Sequence, residues 1–259
     1  MQILRQRMLL ASAILVAAFA HHASAQAVAK APMSVLLVHG AFENSSIWDK
    51  VIPILQRRGI RVATAQNPLT SVTADAQNTG RVIDDQPGDV ILVGHSYGGA
   101  VITEAGNNPK VKALVYVAAP SPSSGQSGLD EAAAYPKPPL LAHLFIDRQG
   151  MAYATEDGMK DLAQDLSPVE RQVLQATQGP IALTAFQGKV SHAAWETKPS
   201  WSIVADNDRA ISPKEEADSA IRIKARITHV TSGHEVMLTK PREVAAVIVQ
   251  AYEAATAQR

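Results

Sequence analysis

The feature that most restricts the fold of this chain is a short turn between a strand-like and a helix-like segment. Residues 89–93 read DVILV, residues 94–98 read GHSYG, and residues 97–107 are rich in small side chains. A short, continuous apolar run is typical of a strand buried on both faces. The turn must be sharp, and the glycines two positions before and after Ser96 leave room for it. We therefore expect Ser96 at the carboxyl edge of a sheet, with its hydroxyl group above that edge.

Apolar runs and helical patterns alternate along the rest of the chain. Strands are predicted at 34–38, 60–65, 111–118, 201–205 and 227–230, and helices at 47–58, 73–84, 213–224 and 241–257. Strands separated by helices indicate right-handed crossovers between parallel strands. The predicted fold class is therefore α/β, with a mostly parallel sheet that has helices on both faces.

The first residues have the pattern of a secretory signal peptide. Residues 1–25 begin with Arg5 and Arg7, continue with an apolar run over 8–20, and end in small residues. This order of basic, apolar and small-residue segments precedes a cleavage site. The apolar run is too short to cross a bilayer of about 30 Å as a helix. We expect cleavage after residue 25 and a periplasmic or secreted protein without a stable membrane anchor.

One region interrupts the alternation of strands and helices. Residues 120–128 read PSPSSGQSG, which is typical of a linker. From there to residue 198 we find helical patterns, such as those at 138–146 and 167–177, and no strand-like run, and the second of these helices begins with a capping-box signature. We expect an α/β core at 26–119 and 199–259, and a helical lid insertion at 120–198.

Composition excludes several classes of function. The chain of 259 residues has 24 basic and 24 acidic residues, so it lacks the charge excess that binds nucleic acid or anionic membranes. It contains no cysteine, which excludes disulfide bonds, a cysteine nucleophile and cysteine-ligated zinc. A nucleophile, if the chain has one, must therefore be of another residue type.

Ser96 is the candidate nucleophile, because a G-x-S-x-G motif between a strand and a helix places a serine in this role. A serine hydroxyl needs a base within hydrogen-bonding reach. His234 is the candidate, since it follows the last predicted strand by a short loop, whereas the other histidines lie beside glycine-rich turns, in the insertion, within a strand or in the signal segment. The base in turn needs an acid. Asp208, which follows the strand at 201–205, is favoured over Asp206, which is closer to the strand end.

Backbone N–H groups that bind a developing oxyanion are expected beside Ser96. One candidate is the amide of Tyr97, directly after the serine. The other lies in the loop after the first strand, where Phe42 is favoured and Ala41 is the alternative. The insertion contains apolar side chains that are candidates for substrate binding. These are Leu144, Phe145, Phe186 and Trp195.

These segments resemble the α/β-hydrolase fold superfamily, and the chain is similar to small bacterial esterases related to plant salicylate-ester and hydroxynitrile-lyase-type enzymes. The matching segments are 36–55, 90–102, 200–213 and 232–248. The resemblance implies Ser96, Asp208 and His234 as a triad and the amides of Phe42 and Tyr97 as the oxyanion hole. Hydroxynitrile lyases of that family carry a lysine beside the catalytic histidine, whereas this chain has Glu235.

The expected function is therefore that of a serine carboxylic-ester hydrolase acting on a small or medium apolar or aromatic ester. We expect no metal and no organic cofactor, because a protein group is available for each role. The expected partner is the small-molecule ester, and no nucleic acid. Three alternatives share this constellation, namely a hydroxynitrile lyase, a cofactor-free haloperoxidase and a hydrolase-like sensor of a small molecule.

Overall fold

A six-stranded parallel sheet forms the centre of the computed structural model, which describes residues 31–258. The predicted signal segment lies outside the described residues. The strands of the protein are β1 (Ser34–Val38), β2 (Arg61–Ala65), β3 (Val90–His95), β4 (Val111–Val117), β5 (Leu144–Ile146), β6 (Met151–Ala154), β7 (Ile181–Ala182), β8 (Ser200–Ala205) and β9 (Arg226–Val230). The strand order in the central sheet is β2-β1-β3-β4-β8-β9, so β1 and β3 lie in the interior of the sheet.

Helices connect these strands and cover the sheet. They are α1 (Ile52–Gln56), α2 (Val72–Asp84), α3 (Gly98–Ala105), α4 (Gly128–Ala132), α5 (Glu156–Leu162), α6 (Pro168–Thr177), α7 (Leu183–Gln187), α8 (Pro213–Arg222), α9 (Val236–Thr239) and α10 (Pro241–Ala257). Short 3-10 helices occur at Ser45–Trp48, Pro139–His143 and Ala194–Glu196. Between residues 31 and 258, no helix combines the length and the apolar character that crossing a bilayer requires.

The central strands are buried on both faces, as their continuous apolar runs predict. Successive side chains of a strand point to opposite faces, and those of β3 divide accordingly between two hydrophobic cores. Leu92 packs in one core, whereas Ile91 and Val93 pack in the other. The α/β fold class with a parallel sheet and helices on both faces is thus confirmed.

The predicted helix at 47–58 is divided in the structure. Asn44 caps a 3-10 helix at Ser45–Trp48, and α1 begins four residues after that helix, with Pro53 in its first turn. Proline favours the first turn of a helix because it has no N–H group to donate to the preceding turn. The last helix, in contrast, spans the predicted residues, from Pro241 to Ala257.

The region between β4 and β8 contains strands as well as helices, so the expectation of an insertion without strands is wrong. β5, β6 and β7 form an antiparallel sheet of three strands, and the helix expected at 138–146 is a 3-10 helix followed by β5. These strands are two to four residues long, which is too short for a clear alternating pattern. The predicted capping box is present at α6, where Ser167 and Glu170 exchange hydrogen bonds.

Candidate active site

Ser96 lies at the turn between β3 and α3, in a backbone conformation that non-glycine residues rarely adopt. Its φ is +51°, and its amide donates to the carbonyl of Val117 on the neighbouring strand. The flanking glycines are required by close approaches. A Cβ atom at Gly94 would lie 2.5 Å from the carbonyl oxygen of Gly98, and one at Gly98 would lie 2.8 Å from that of His39. The strained turn is thus closely packed, and it presents Ser96 to a cavity above the carboxyl edge of the sheet.

His234 follows β9 and pairs with Asp208, which follows β8. The Nδ1 atom of His234 lies 2.5 Å from Oδ2 of Asp208, and both side chains are buried. The other oxygen, Oδ1, accepts the amide hydrogens of Ala210 at 2.6 Å and Ile211 at 2.9 Å. These bonds fix the carboxylate, which in turn fixes the orientation of the imidazole ring.

The opposite ring nitrogen of His234 is free to react. Nε2 is buried and makes no hydrogen bond with any residue of the described chain. His234 and Ser96 line the same cavity. A base with one nitrogen held by a carboxylate and the other available at the nucleophile is the arrangement that general-base catalysis requires.

The pKa values of the pair are shifted in opposite directions. Burial disfavours the imidazolium, but the facing Asp208, which both attracts and hydrogen-bonds the protonated ring, outweighs it and raises the pKa of His234 to about 9. Burial also opposes ionisation of Asp208, yet His234 and the amide of Ile211 hold the pKa of that carboxyl below its ordinary value. Asp208 is therefore ionised at neutral pH.

The alternative residues are engaged elsewhere. Asp206 pairs with His229 at 2.8 Å, and both side chains are substantially exposed. His143 pairs with Asp161 at 2.7 Å in the insertion. His39 accepts the amide hydrogen of Asn67 at 3.0 Å, so it fixes the loop after β2.

The loop after β1 contacts Ser96 directly. A Cβ atom at Gly40 would lie 2.7 Å from Cβ of Ser96, and Phe42 has a φ of +66° that turns the chain beside the cavity. Ala41, Phe42 and Tyr97 all line this cavity. The structure therefore brings both proposed oxyanion-hole residues, and the alternative Ala41, to the site of Ser96.

Two of the four apolar candidates line the cavity. Leu144 and Phe186 do so, and the Phe186 ring packs at 6.3 Å from that of Phe42 and 5.9 Å from that of Tyr97. Phe145 does not line it, because adjacent residues of β5 face opposite sides, and its ring is exposed beside Tyr153. Trp195 does not line it either, and its indole N–H donates to the backbone carbonyl of Pro122 in the linker at 3.0 Å.

A second cluster of buried side chains lies behind His234. His95 donates from Nε2 to the backbone carbonyl of His234 at 3.1 Å, because a carbonyl can only accept. Its Nδ1 lies 3.0 Å from Oε2 of Glu43, and that oxygen also accepts the amide hydrogen of Gly40. The carboxyl groups of Glu43 and Glu235 lie within hydrogen-bonding reach of each other.

Two shared protons account for these contacts. If both carboxyls were ionised, the pair would have no donor, and the oxygens of Glu235 would remain unpaired in the interior. Burial raises the pKa of both Glu43 and Glu235, and burial together with His234 lowers the pKa of His95 to about 4. A neutral His95 that donates from Nε2 to the carbonyl of His234 can only accept at Nδ1, so Glu43 donates to His95, and Glu235 donates to Glu43. We call this electrically neutral series the carboxyl–imidazole chain.

The carboxyl–imidazole chain is also the one group of potential metal ligands within residues 31–258. Ligand atoms of Glu43, His95 and Glu235 lie within 4.8 Å of one another. Both nitrogens of His95 already have hydrogen-bond partners, and Oε2 of Glu43 already has two. The shared protons satisfy the geometry, so the donor set needs no cation to explain it.

Another buried acid supports Asp208. Oε2 of Glu216 accepts the amide hydrogen of Ala205 at 2.9 Å. Burial and the nearby Asp208 raise the pKa of Glu216 well above its ordinary value, which favours its protonated form, and the interaction between the two carboxyl groups lowers the pKa of Asp208. The structure thus reveals supporting carboxyls that sequence reasoning missed. The available signal was the position of Glu43, Glu216 and Glu235 in the loops and helix start that carry the candidate residues.

Comparisons with known proteins agree with this architecture. A sequence model of the alpha/beta hydrolase family matches residues 35–247. The chain is 34% identical over 127 residues to a carbendazim hydrolyzing esterase of a Nocardioides species, covering 43% of this chain and 51% of that protein. It is 35% identical over 100 residues to a pyrethroid hydrolase of Sphingobium wenxiniae, covering 33% of this chain and 35% of that protein. The chain thus matches about half the length of the first relative and about a third of the second.

Solved structures of low sequence identity share the fold. One is an extracellular alpha/beta-hydrolase from a Paenibacillus species, which has structural and functional homology to tobacco salicylic acid binding protein 2. It matches with a TM-score of 0.71 at 20% identity, and the match covers 85% of this chain and 99% of that chain. The family match extends over most of the described residues and includes Ser96, Asp208 and His234. This chain therefore belongs to the alpha/beta hydrolase family.

Proposed function

We propose that the protein hydrolyses carboxylic esters through a Ser96–His234–Asp208 triad. The observation that carries the proposal is the buried pair of His234 and Asp208, because His234 lines the same cavity as Ser96 and its Nε2 atom has no hydrogen-bond partner among the described residues. The strained backbone of Ser96 adds support, because this conformation holds the hydroxyl at the end of the sheet. The names of the two relatives, an esterase and a hydrolase, are in line with this chemistry.

The proposed reaction has two halves. Nε2 of His234 accepts the proton of the Ser96 hydroxyl as its oxygen attacks the ester carbonyl carbon. The amides of Phe42 and Tyr97 bind the oxyanion of the tetrahedral intermediate, and each such donor is typically worth about 2.7–4 kcal/mol. The imidazolium gives its proton to the departing alcohol, which leaves an acyl group on Ser96. Water then attacks this acyl group, with His234 as base, and releases the carboxylic acid.

The cavity supports a small or medium apolar or aromatic substrate. Phe186 packs against Phe42 and Tyr97, and Leu140 and Leu144 add further apolar wall. Such side chains favour an ester with an apolar acyl or alcohol part. The region between β4 and β8 supplies several of these residues, so we propose that it acts as a lid and contributes to specificity.

Ester hydrolysis is favoured over the lyase alternative by the environment of residue 235. A lysine beside the histidine is the feature that lyases of similar sequence carry, and here the side chain is a buried carboxyl group bonded to Glu43. Residue 235 therefore supplies no cation that could stabilise a departing cyanide. A non-catalytic sensor would not need a base whose reactive nitrogen lacks a partner.

The test of the proposal is the Ser96→Ala variant, assayed with 4-nitrophenyl esters of short acids. We expect kcat/KM to fall by roughly 10⁵–10⁶-fold, because the variant has no nucleophile. The unfolding midpoint should stay close to that of the wild type, and labelling by a fluorophosphonate should be lost. Retention of most of the esterase activity in a folded Ser96→Ala protein would contradict the triad.

We also propose export, on the basis of the sequence of residues 1–25. If this segment is a signal peptide, the mature protein begins at Gln26. Expression of the full chain in a Gram-negative host, followed by cell fractionation and mass spectrometry of the N-terminus, tests this directly. A cytoplasmic product that retains residues 1–25 would overturn the proposal.

A further inference from the structure

One carboxyl group lines the otherwise apolar part of the substrate cavity. Glu215 is the third residue of α8, and its side chain lies in the cavity wall together with Ala210, Leu140 and Leu162. It is only 4% exposed, although glutamate is a residue that is rarely buried without a partner. Its position calls for an explanation that apolar packing does not supply.

The other polar side chains of the cavity already have assigned partners or roles. Ser96 and His234 belong to the proposed triad, and the hydroxyl of Tyr97 donates to Asp75 at 2.7 Å. Glu215 makes no side-chain hydrogen bond with any residue from 31 to 258, in contrast to its neighbour Glu216, which is bonded to Ala205. A buried polar group without a protein partner costs free energy unless a ligand or water satisfies it.

The surroundings of Glu215 favour its uncharged form. Burial, together with the negative charges of Glu131 and Asp208, raises the pKa of Glu215 to about 8, and Arg222 opposes the shift only partly. Arg222 is itself paired with Glu131 at 2.6 Å. At neutral pH the Glu215 carboxyl is therefore protonated, and a protonated carboxyl can donate a hydrogen bond.

We propose that Glu215 is a specificity-determining residue that donates a hydrogen bond to the substrate. The substrate class that this assignment selects is an uncharged ester with one hydrogen-bond acceptor, such as an ether oxygen or a second carbonyl, on its apolar part away from the scissile bond. The inference rests on the proposed ester hydrolysis, and it adds a polar contact to a pocket that otherwise selects by shape and apolarity.

The test uses matched 4-nitrophenyl esters that differ by one atom. One series has straight alkyl acids, and the other has acids of equal length in which successive methylene groups are replaced by an ether oxygen; a third series carries an amine at the same positions. For the wild type at pH 7, we expect the best ether ester to exceed its alkyl match in kcat/KM by about 3- to 10-fold, as one neutral hydrogen bond provides. The amine series should show no such gain.

Variants of Glu215 separate a specific contact from a general effect on the fold. Glu215→Leu should lose the preference for the ether ester while it keeps or improves turnover of the alkyl ester. Glu215→Gln, which retains a donor, should keep most of the preference. Asp218→Asn is the matched control, because it removes an exposed carboxyl of the same helix that pairs with Lys214 outside the cavity.

The pH dependence of the preference gives a second readout. The donor form of Glu215 exists below its pKa, so the ether-to-alkyl ratio of kcat/KM should fall as pH rises through about 8. Changes in His234 affect both esters equally and cancel in this ratio. In Glu215→Gln the ratio should be constant with pH, because the amide does not titrate.

Three outcomes would overturn the inference. They are equal ether-to-alkyl ratios in the wild type and Glu215→Leu, a ratio in the wild type that does not change with pH, and a clear preference for the amine series. In all three cases the esters are still turned over, so the proposed function survives. If no ester is hydrolysed by the wild type at any pH, the failure belongs to the proposed function itself.

Discussion

His234 has acidic groups on two sides, and the two sides differ in charge. On the side of the ring, Asp208 is ionised, and it is supported by amide hydrogens and by the protonated Glu216. On the side of the backbone, the carboxyl–imidazole chain holds a full set of protons and is neutral. A negative charge thus lies where a proton must be accepted, whereas the groups that only hold the loop are kept uncharged. Buried acids can therefore either stabilise the protonated base or hold the loop of His234 in place, and their protonation state decides which of the two they do.

Asp208→Asn, which removes the negative charge beside the His234 ring, should have the largest effect of the changes considered for the two sides. We expect kcat to fall by about 10⁴-fold, because the imidazolium loses its ion-pair partner and the correct ring tautomer is no longer enforced. The pH dependence should change as well. In the wild type, activity should rise as pH increases through about 9, since the base must be neutral. In the variant the rise should move to lower pH, because the main influence that raises the pKa of His234 is removed.

The measurement is a pH–rate profile of kcat/KM for both proteins, with circular dichroism as a control for folding. Asp206→Asn is the matched control, because it removes the exposed carboxyl that pairs with His229. This control should keep the wild-type profile. A profile of Asp208→Asn that coincides with the wild type would show that Asp208 does not set the ionisation of the base.

Changes to the neutral side should affect stability more than chemistry. Glu235→Leu removes the proton that Glu43 accepts, so we expect the free energy of unfolding to fall by about 1–3 kcal/mol. Glu235→Gln retains an N–H donor of nearly the same shape and should cost less than about 1 kcal/mol. Urea unfolding at pH 7 measures both values, and kcat of the folded variants should fall far less than in Asp208→Asn.

If Glu235 donates a hydrogen bond to Glu43, Glu235→Leu and Glu235→Gln must differ in their free energy of unfolding. Equal stability of Glu235→Leu and Glu235→Gln would show that the hydrogen bond to Glu43 is not made. A larger loss in Glu235→Gln than in Glu235→Leu would favour two ionised carboxyls with another partner. The order of the two variants is therefore more informative than either value alone.

The fold was predictable from the sequence where long patterns repeat. Continuous apolar runs identified the central strands, and Pro241 and the pattern after it identified α10. The strands between β4 and β8 were missed because they are short and pair with each other rather than with the main sheet. The same cause displaced Phe145, because a residue predicted to be helical lies on the outer face of β5.

The residues of the candidate site also fall into two groups, those that the sequence could locate and those that it could not. Ser96, His234 and Asp208 could be located because each follows a strand that ends at one edge of the sheet. Glu43, Glu215 and Glu216 could not, because glutamate is usually exposed, and burial depends on packing between distant segments. Local sequence carries the position of a side chain along a strand or loop, but the protonation state of an acid depends on everything that surrounds it.

The hydrogen bonds of the carboxyl–imidazole chain couple the ionisation of residue 43 to the identity of residue 235. A lysine at residue 235 would place a cation beside Glu43 and lower the pKa of that carboxyl. Glu43 would then lose the proton that it donates to Nδ1 of His95. Positions 43 and 235 are far apart in the sequence, yet a charge acquired at one changes the ionisation of the other. Substitutions at the two positions should therefore be strongly non-additive.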